Sequence, residues 1–188
     1  MKKIMLVVID LVRGFIKEGA LAAPEMERVV PNVAKLVEQA HNAKQKVVLV
    51  RAWHSAKSEE FLKWPKHCVA GSNECLFVPE IEPYQRFATV INKDAINAFT
   101  NDKFPALFKN NVYDEIVVTG VLTEICVFQT CVSLISMLKS TGAKTKLIVP
   151  KNAVDTFNKP GHSANLVNDN TFVMFNKLGI HTPDSYKI

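Results

Sequence analysis

"KIMLVVID", residues 3–10, is an unbroken run of β-favouring apolar residues closed by an aspartate. A strand with one wet face alternates apolar and polar residues. This run does not alternate, so it reads as a strand covered on both faces. Four more runs of the same kind follow: "KVVLVRA" (46–52), "FATVINK" (87–93), "EIVVTG" (115–120) and "KLIVP" (146–150). Between the first two, apolar Val29, Val30, Val33, Leu36 and Val37 recur with a helical period as far as "HNAKQ". Helices are also expected over 123–139 and 163–178. Strand and helix alternate, which predicts the α/β class: a mostly parallel sheet between two helical layers, an α/β/α sandwich forming one domain over residues 1–188.

Composition narrows the function classes. The 188-residue chain is 48% hydrophobic and long enough for a sizeable core. Its net charge of +5 comes from scattered lysines at strand and helix ends, with no basic stripe interleaved with aromatics, so nucleic-acid binding is not expected. No apolar run has the length of a membrane span. The start, "MKKIMLVVIDLVRGF", superficially resembles a secretion signal, but Asp10 interrupts it and no small-residue cleavage site follows. The four cysteines, Cys68, Cys75, Cys126 and Cys131, form no CxxC pair and lie mostly in apolar surroundings. They read as reduced thiols of a cytoplasmic protein.

One connection breaks the rhythm. Residues 53–86 are too many for a plain link between strands and carry both tryptophans, His54, His67 and two cysteines. Loops of that length are often functional.

Ligands of parallel α/β sheets bind beyond the carboxyl ends of the strands. Three polar residues stand at those ends. The first strand closes with Asp10, the third with Lys93, and the fourth turns through "TGVLTEIC" into Cys126. If the strands are parallel, a carboxylate, an ammonium and a thiol gather at one edge. Each also has a plain structural role: Asp10 as a turn cap, Lys93 as a solvated strand end, Cys126 as a small core residue. Their coincidence favours chemistry. Thr123 is a suitable helix N-cap, which would put Cys126 in a first turn whose dipole and free amides favour a thiolate and an oxyanion. Cys131, further along an apolar helix, reads as core.

At these residues the chain resembles the isochorismatase-like cysteine hydrolases, and among them the nicotinamidase branch. The resemblance rests on "VVIDLVRGF", "WPKHCVAGSNE", "VINKDAINAF" and "VVTGVLTEICV", in that order. It implies a Rossmann-like three-layer fold and assigns Asp10 as general base, Lys93 as its electrostatic partner and Cys126 as nucleophile. It further implies a cis peptide between Val121 and Leu122, oxyanion donors at the amides of Leu122 and Cys126, and ring contacts from Phe15 and Trp64. His54 and His67 match its two metal-binding histidines. Ala52 stands where the family has an aspartate ligand, and Glu60 is the candidate third ligand for a divalent ion such as zinc. Val12 replaces a common glutamine, which makes the pocket less polar.

The implied reaction is hydrolysis of a small amide through a thioester, with nicotinamide to nicotinate plus ammonia as the foremost case. No organic cofactor is implied, the partner is a small-molecule amide, and homo-oligomerisation is expected. Alternatives are another hydrolase of the same fold with a different small substrate, or a binding protein that keeps the fold without the chemistry. The absence of GxGxxG after the first strand argues against a dinucleotide-binding domain.

Overall fold

Six strands, all parallel, make one sheet in the computed structural model, which describes residues 2–109 and 112–188. They are β1 (Ile4–Ile9), β2 (Lys46–Ala52), β3 (Thr89–Lys93), β4 (Glu115–Val121), β5 (Lys146–Ile148) and β6 (Val154–Asp155). The order is β3-β2-β1-β4-β5, with β6 pairing with the last residues of β4. The chain therefore builds outward from β1 in one direction, then returns to build the other half from β4. The crevice between β1 and β4 is the topological switch point, where doubly wound sheets bind ligands.

The helices are α1 (Arg13–Ile16), α2 (Val30–Asn42), α3 (Lys103–Ala106), α4 (Phe128–Ser140) and α5 (Ala164–Leu178). β1 shows why its run does not alternate. Ile4, Leu6 and Val8 pack into one core with Val33, Leu36 and Val37 of α2. Met5, Val7 and Ile9 pack into a second core with Leu134 of α4 and Phe175 of α5. Both faces of the strand are dry, and each side chain is removed from water at about 25 cal/mol per Å² of apolar surface. No helix among the described residues is long and apolar enough to cross a membrane.

Several boundaries differ from expectation. The fifth strand stops at Ile148, because the Val149 amide turns to His181 O (2.8 Å) and Pro150 has no amide to continue the ladder. The two-residue β6 carries no sequence signal of its own. The third strand begins at Thr89, since residues 82–86 form a 3-10 turn. The long connection 53–86 is built from such short turns and is pinned by bridges from His54 to Val69 and from Val12 to Phe77.

The close fit of β4 against β1 depends on one residue. Gly120 has φ +114° and sits opposite Ile9. A Cβ there would lie 1.9 Å from Ile9 O. Only glycine allows this conformation and this approach.

Candidate active site

β1 ends at Asp10, which takes a left-handed backbone, φ +54°, while its amide still donates to Val50 O (2.9 Å). Asp tolerates that conformation better than most residues, and such positions cluster at functional sites. β3 ends at Lys93, register partner of Ala52 at the end of β2. Both charged side chains are buried, Asp10 at 0% and Lys93 at 2% exposure. Lys93 Nζ lies 2.7 Å from Asp10 Oδ2 and 3.8 Å from Cys126 Sγ. The carboxylate, ammonium and thiol thus meet at the switch point, and Lys93 is not a solvated strand end.

Cys126 arrives by an irregular route. The Val121–Leu122 peptide is cis, and residues Thr123–Val127 form a π-helical turn before α4 begins. Thr123 does not cap this helix: its hydroxyl is buried and makes no hydrogen bond, and Leu122 occupies the cap position. Leu122 O instead accepts from the amides of Ile125 (3.2 Å) and Val127 (3.1 Å).

The thiol is also not a ready-made thiolate. Burial pushes Cys126 up to about 12; the Lys93 charge pulls down, Asp10 pushes up by charge and by accepting from the thiol, and the Leu122 amide pulls down. Removal from water outweighs the cation and the helix end, so the sulfur keeps its proton at neutral pH. For Lys93, burial acts to lower the proton affinity, but the charges of Asp10 and Cys126 win and raise it, so the ammonium is firmly charged. Cys131 is fully buried in the second core, as expected of a packing residue.

A cavity of about 420 Å³ opens over Cys126 and Lys93, in the usual size range of small-molecule sites. Phe15 and Trp64 line it, together with His54, His67 and Glu60. Phe15 is buried in α1 and its ring lies 5.6 Å from that of His67. Two further walls come from segments that carried no signal in the sequence, 20–25 and 157–159. They reach the cavity only through packing, far along the chain from Cys126.

The two histidines are buried and near each other, with ring centroids 4.6 Å apart at 63°. His67 Nδ1 donates to Pro65 O (2.8 Å), and His54 Nδ1 lies 3.0 Å from Asp94 Oδ1. Burial, His54 and Lys93 lower the proton affinity of His67 against the Pro65 carbonyl and Asp10, which raise it, and the ring is held neutral. With Nδ1 committed, Nε2 is the nitrogen left to bind, the usual arrangement of metal-ligating imidazoles. Asp94 is a site residue that sequence reasoning passed over; its place directly after Lys93 was the available signal. Glu60 borders the cavity but its Oε1 accepts from the Ile96 amide (3.2 Å). Among the described residues no three histidine, cysteine or carboxylate side chains gather as a metal-binding group, and Glu60 is not brought together with His54 and His67 in one. His54 and His67 are the side chains here that could hold a divalent ion; Ala52, fully buried, has no carboxylate to offer.

A family model described as "Isochorismatase domain" matches residues 4–176. Nicotinamidase 1 of Arabidopsis thaliana is 28% identical over 177 residues, covering 85% of this chain and 72% of that protein. Among solved structures, N-carbamoylsarcosine amidase from Thermoplasma acidophilum superposes with a TM-score of 0.80 at 26% identity, over 99% of this chain and 98% of that one. Pyrazinamidase of Pyrococcus horikoshii, solved in complex with zinc, superposes with a TM-score of 0.74 at 25% identity, over 96% and 98%.

Proposed function

The chain belongs to the isochorismatase family, and from that premise we propose that it is a cysteine amidohydrolase acting on small carboxamides, with nicotinamide the foremost substrate. The observation that carries this reading is the buried trio, with Lys93 Nζ 2.7 Å from Asp10 and 3.8 Å from Cys126. The thiol is neutral at pH 7, so its proton passes to Asp10 as the sulfur attacks the amide carbon. The amides of Leu122 and Cys126 receive the oxyanion; one such donor is worth roughly 3–4 kcal/mol in comparable sites. Lys93 offsets the negative charge that moves between Asp10 and the sulfur. Asp10 returns the proton to the leaving nitrogen, the C–N bond breaks, ammonia departs and a thioester remains. The carboxylate of Asp10 then takes a proton from water, hydroxide adds to the thioester carbon, the C–S bond breaks, and Asp10 gives that proton to the sulfur, restoring thiol and carboxylate.

Phe15 and Trp64 give the ring apolar surfaces. His54 and His67 would hold a divalent metal through Nε2, and the metal when bound supplies a Lewis-acid anchor for a ring nitrogen of the substrate. A second reading, a different small amide, is favoured by one observation: a two-imidazole site without a carboxylate holds that anchor more weakly than a three-ligand one.

Ammonia release from nicotinamide tests both. The wild type is expected to release it, and Cys126→Ala to lose at least about 10³ of the rate while remaining folded. Near wild-type turnover by Cys126→Ala would remove the thioester from the mechanism. No release from nicotinamide, with release from another small amide, would move the substrate and leave the trio in place.

A further inference from the structure

The wall formed by 157–159 carries polar groups that the proposed reaction does not use. Phe157, Asn158 and Lys159 all line the cavity over Cys126. Their turn is fixed by its own bonds. The Lys159 backbone amide donates to His162 O (3.1 Å), and the His162 backbone amide donates back to Lys159 O (2.8 Å). The His162 ring stacks on that of Phe157, with centroids 4.0 Å apart, and its Nε2 lies 3.1 Å from Glu124 Oε1 on the turn that carries Cys126. Glu25, from the other wall, accepts from the Asn158 backbone amide at 2.9 Å.

Four acidic or lysine side chains line the cavity, and three of them are engaged. Lys93 is held by Asp10 (2.7 Å), Glu60 accepts from the Ile96 amide (3.2 Å) and Glu25 from that of Asn158. Lys159 has no carboxylate partner among the described residues; its Nζ rests 4.8 Å from the centroid of the Phe157 ring. Asn158 next to it is oriented by the chain. Its Oδ1 accepts from the Ala164 amide at the start of α5 (3.1 Å), and a backbone N–H can face only the oxygen of that side chain. Nδ2, a donor, is the end left over. The acceptors of this wall are taken: Asn158 Oδ1 by Ala164, Lys159 O by the His162 amide, while Phe157 O lies 3.0 Å from His162 Nδ1. What remains is an ammonium and a neutral donor on adjacent residues. A carboxylate matches that pair, since it is negatively charged and only accepts. Glu25 opposes an anion in the same cavity, and Lys159 is exposed, so the gain is smaller than that of a buried charge-assisted pair.

We propose that Asn158 and Lys159 form a carboxylate subsite of the cavity, so that the amides it takes best are small ones carrying a carboxylate apart from the scissile group. The substrate class rests on the amidohydrolase reading; the subsite itself does not. At about 420 Å³ the cavity has room for more than a single ring. Nicotinamide, which has no carboxylate, fills the catalytic end and leaves the subsite empty. The two residues touch no reacting atom, so their effect falls on binding and not on chemistry.

The test uses the mono-amides of succinic, glutaric and adipic acid, whose lengths sample the span from Cys126 to the subsite, with their methyl esters as neutral controls. Affinities are measured by calorimetry on Cys126→Ala, which leaves the amide unreacted, alone and combined with Lys159→Met or Asn158→Asp. At least one acid is expected to bind about fivefold or more tighter than its own ester. Lys159→Met should abolish that ratio. Asn158→Asp keeps the acceptor for Ala164 but puts a negative charge where the donor was, and should reverse it. Taking the ratio of acid to ester cancels any general loosening of the wall. Equal binding of acid and ester, a ratio that survives Lys159→Met, or no binding by any of the acids would overturn the subsite. Ammonia release by the wild type then reads the reaction: the acid that binds best is expected to have the higher kcat/KM than its ester, through KM. Acids that bind with a Lys159-dependent preference yet release no ammonia would uphold the subsite and remove the amidohydrolase reading.

Discussion

Lys93 is the residue on which the site's electrostatics turn. A buried ammonium at 2% exposure is tolerated because a fully buried carboxylate stands 2.7 Å away. Removing one member leaves the other charge without a partner, which typically costs about 3–5 kcal/mol, whereas removing both restores an apolar interior. Lys93→Met and Asp10→Asn are therefore each expected to destabilise by several kcal/mol, and the double variant by less than their sum. Urea unfolding of the four proteins measures this; additive losses would mean that the two groups do not act as a pair. Neither single variant should turn over amide. The state of Cys126 gives a second check at this scale. Its proton affinity is raised, so the thiol is protonated at neutral pH. Its alkylation by iodoacetamide should still be rising above about pH 9, past the ordinary thiol value of about 8.5. A plateau by about pH 8 would contradict the burial argument. Cys131→Ala is expected to leave activity intact and to lower stability through lost buried volume.

At the scale of elements, the β1–β4 seam sets where the trio meets. Gly120→Ala would force a Cβ to within 1.9 Å of Ile9 O and hold an alanine at φ +114°. The two strands would have to part just before Asp10 and Leu122. A loss of at least about 3 kcal/mol by urea unfolding is expected, with activity lost alongside. The opposite end of β4 gives a pH signature. Burial works to raise Glu115, but Lys2 and Tyr186 outweigh it and hold the carboxyl below its usual value. Lys2 donates to it at 2.8 Å and the Tyr186 hydroxyl donates to its other oxygen, tying both chain ends to the strand. A depressed folded-state value contributes stability above the ordinary glutamate range, about pH 4.3, and that contribution is lost as pH falls through the folded value. Glu115→Gln should accordingly lower Tm at neutral pH, with the gap closing in acid. A gap that is constant with pH would assign the effect to packing.

The whole molecule brings His54 and His67 to the same cavity as Lys93 and Cys126. Stripping metal from a two-imidazole site is expected to raise the KM for nicotinamide more than it lowers kcat, since an anchor on the ring is felt equally in ground and transition states. Elemental analysis and kinetics before and after chelation measure it. Unchanged kinetics in metal-free protein would take the metal out of the binding scheme. What the sequence determined alone was local and periodic. Unbroken apolar runs meant strands dry on both faces, alternation with helices meant a parallel sheet, and parallel strands meant that Asp10, Lys93 and Cys126 share an edge. The tertiary structure decided the rest. It placed Lys93 in the interior and kept the Cys126 proton on sulfur, because desolvation depends on what surrounds a group and not on its neighbours in sequence. It also put Asp94 on His54, turned Glu60 to a backbone amide, and swung 157–162 against the turn at 124. Those contacts join segments about thirty to forty residues apart, whose pairing is fixed only when the sheet closes and its layers pack.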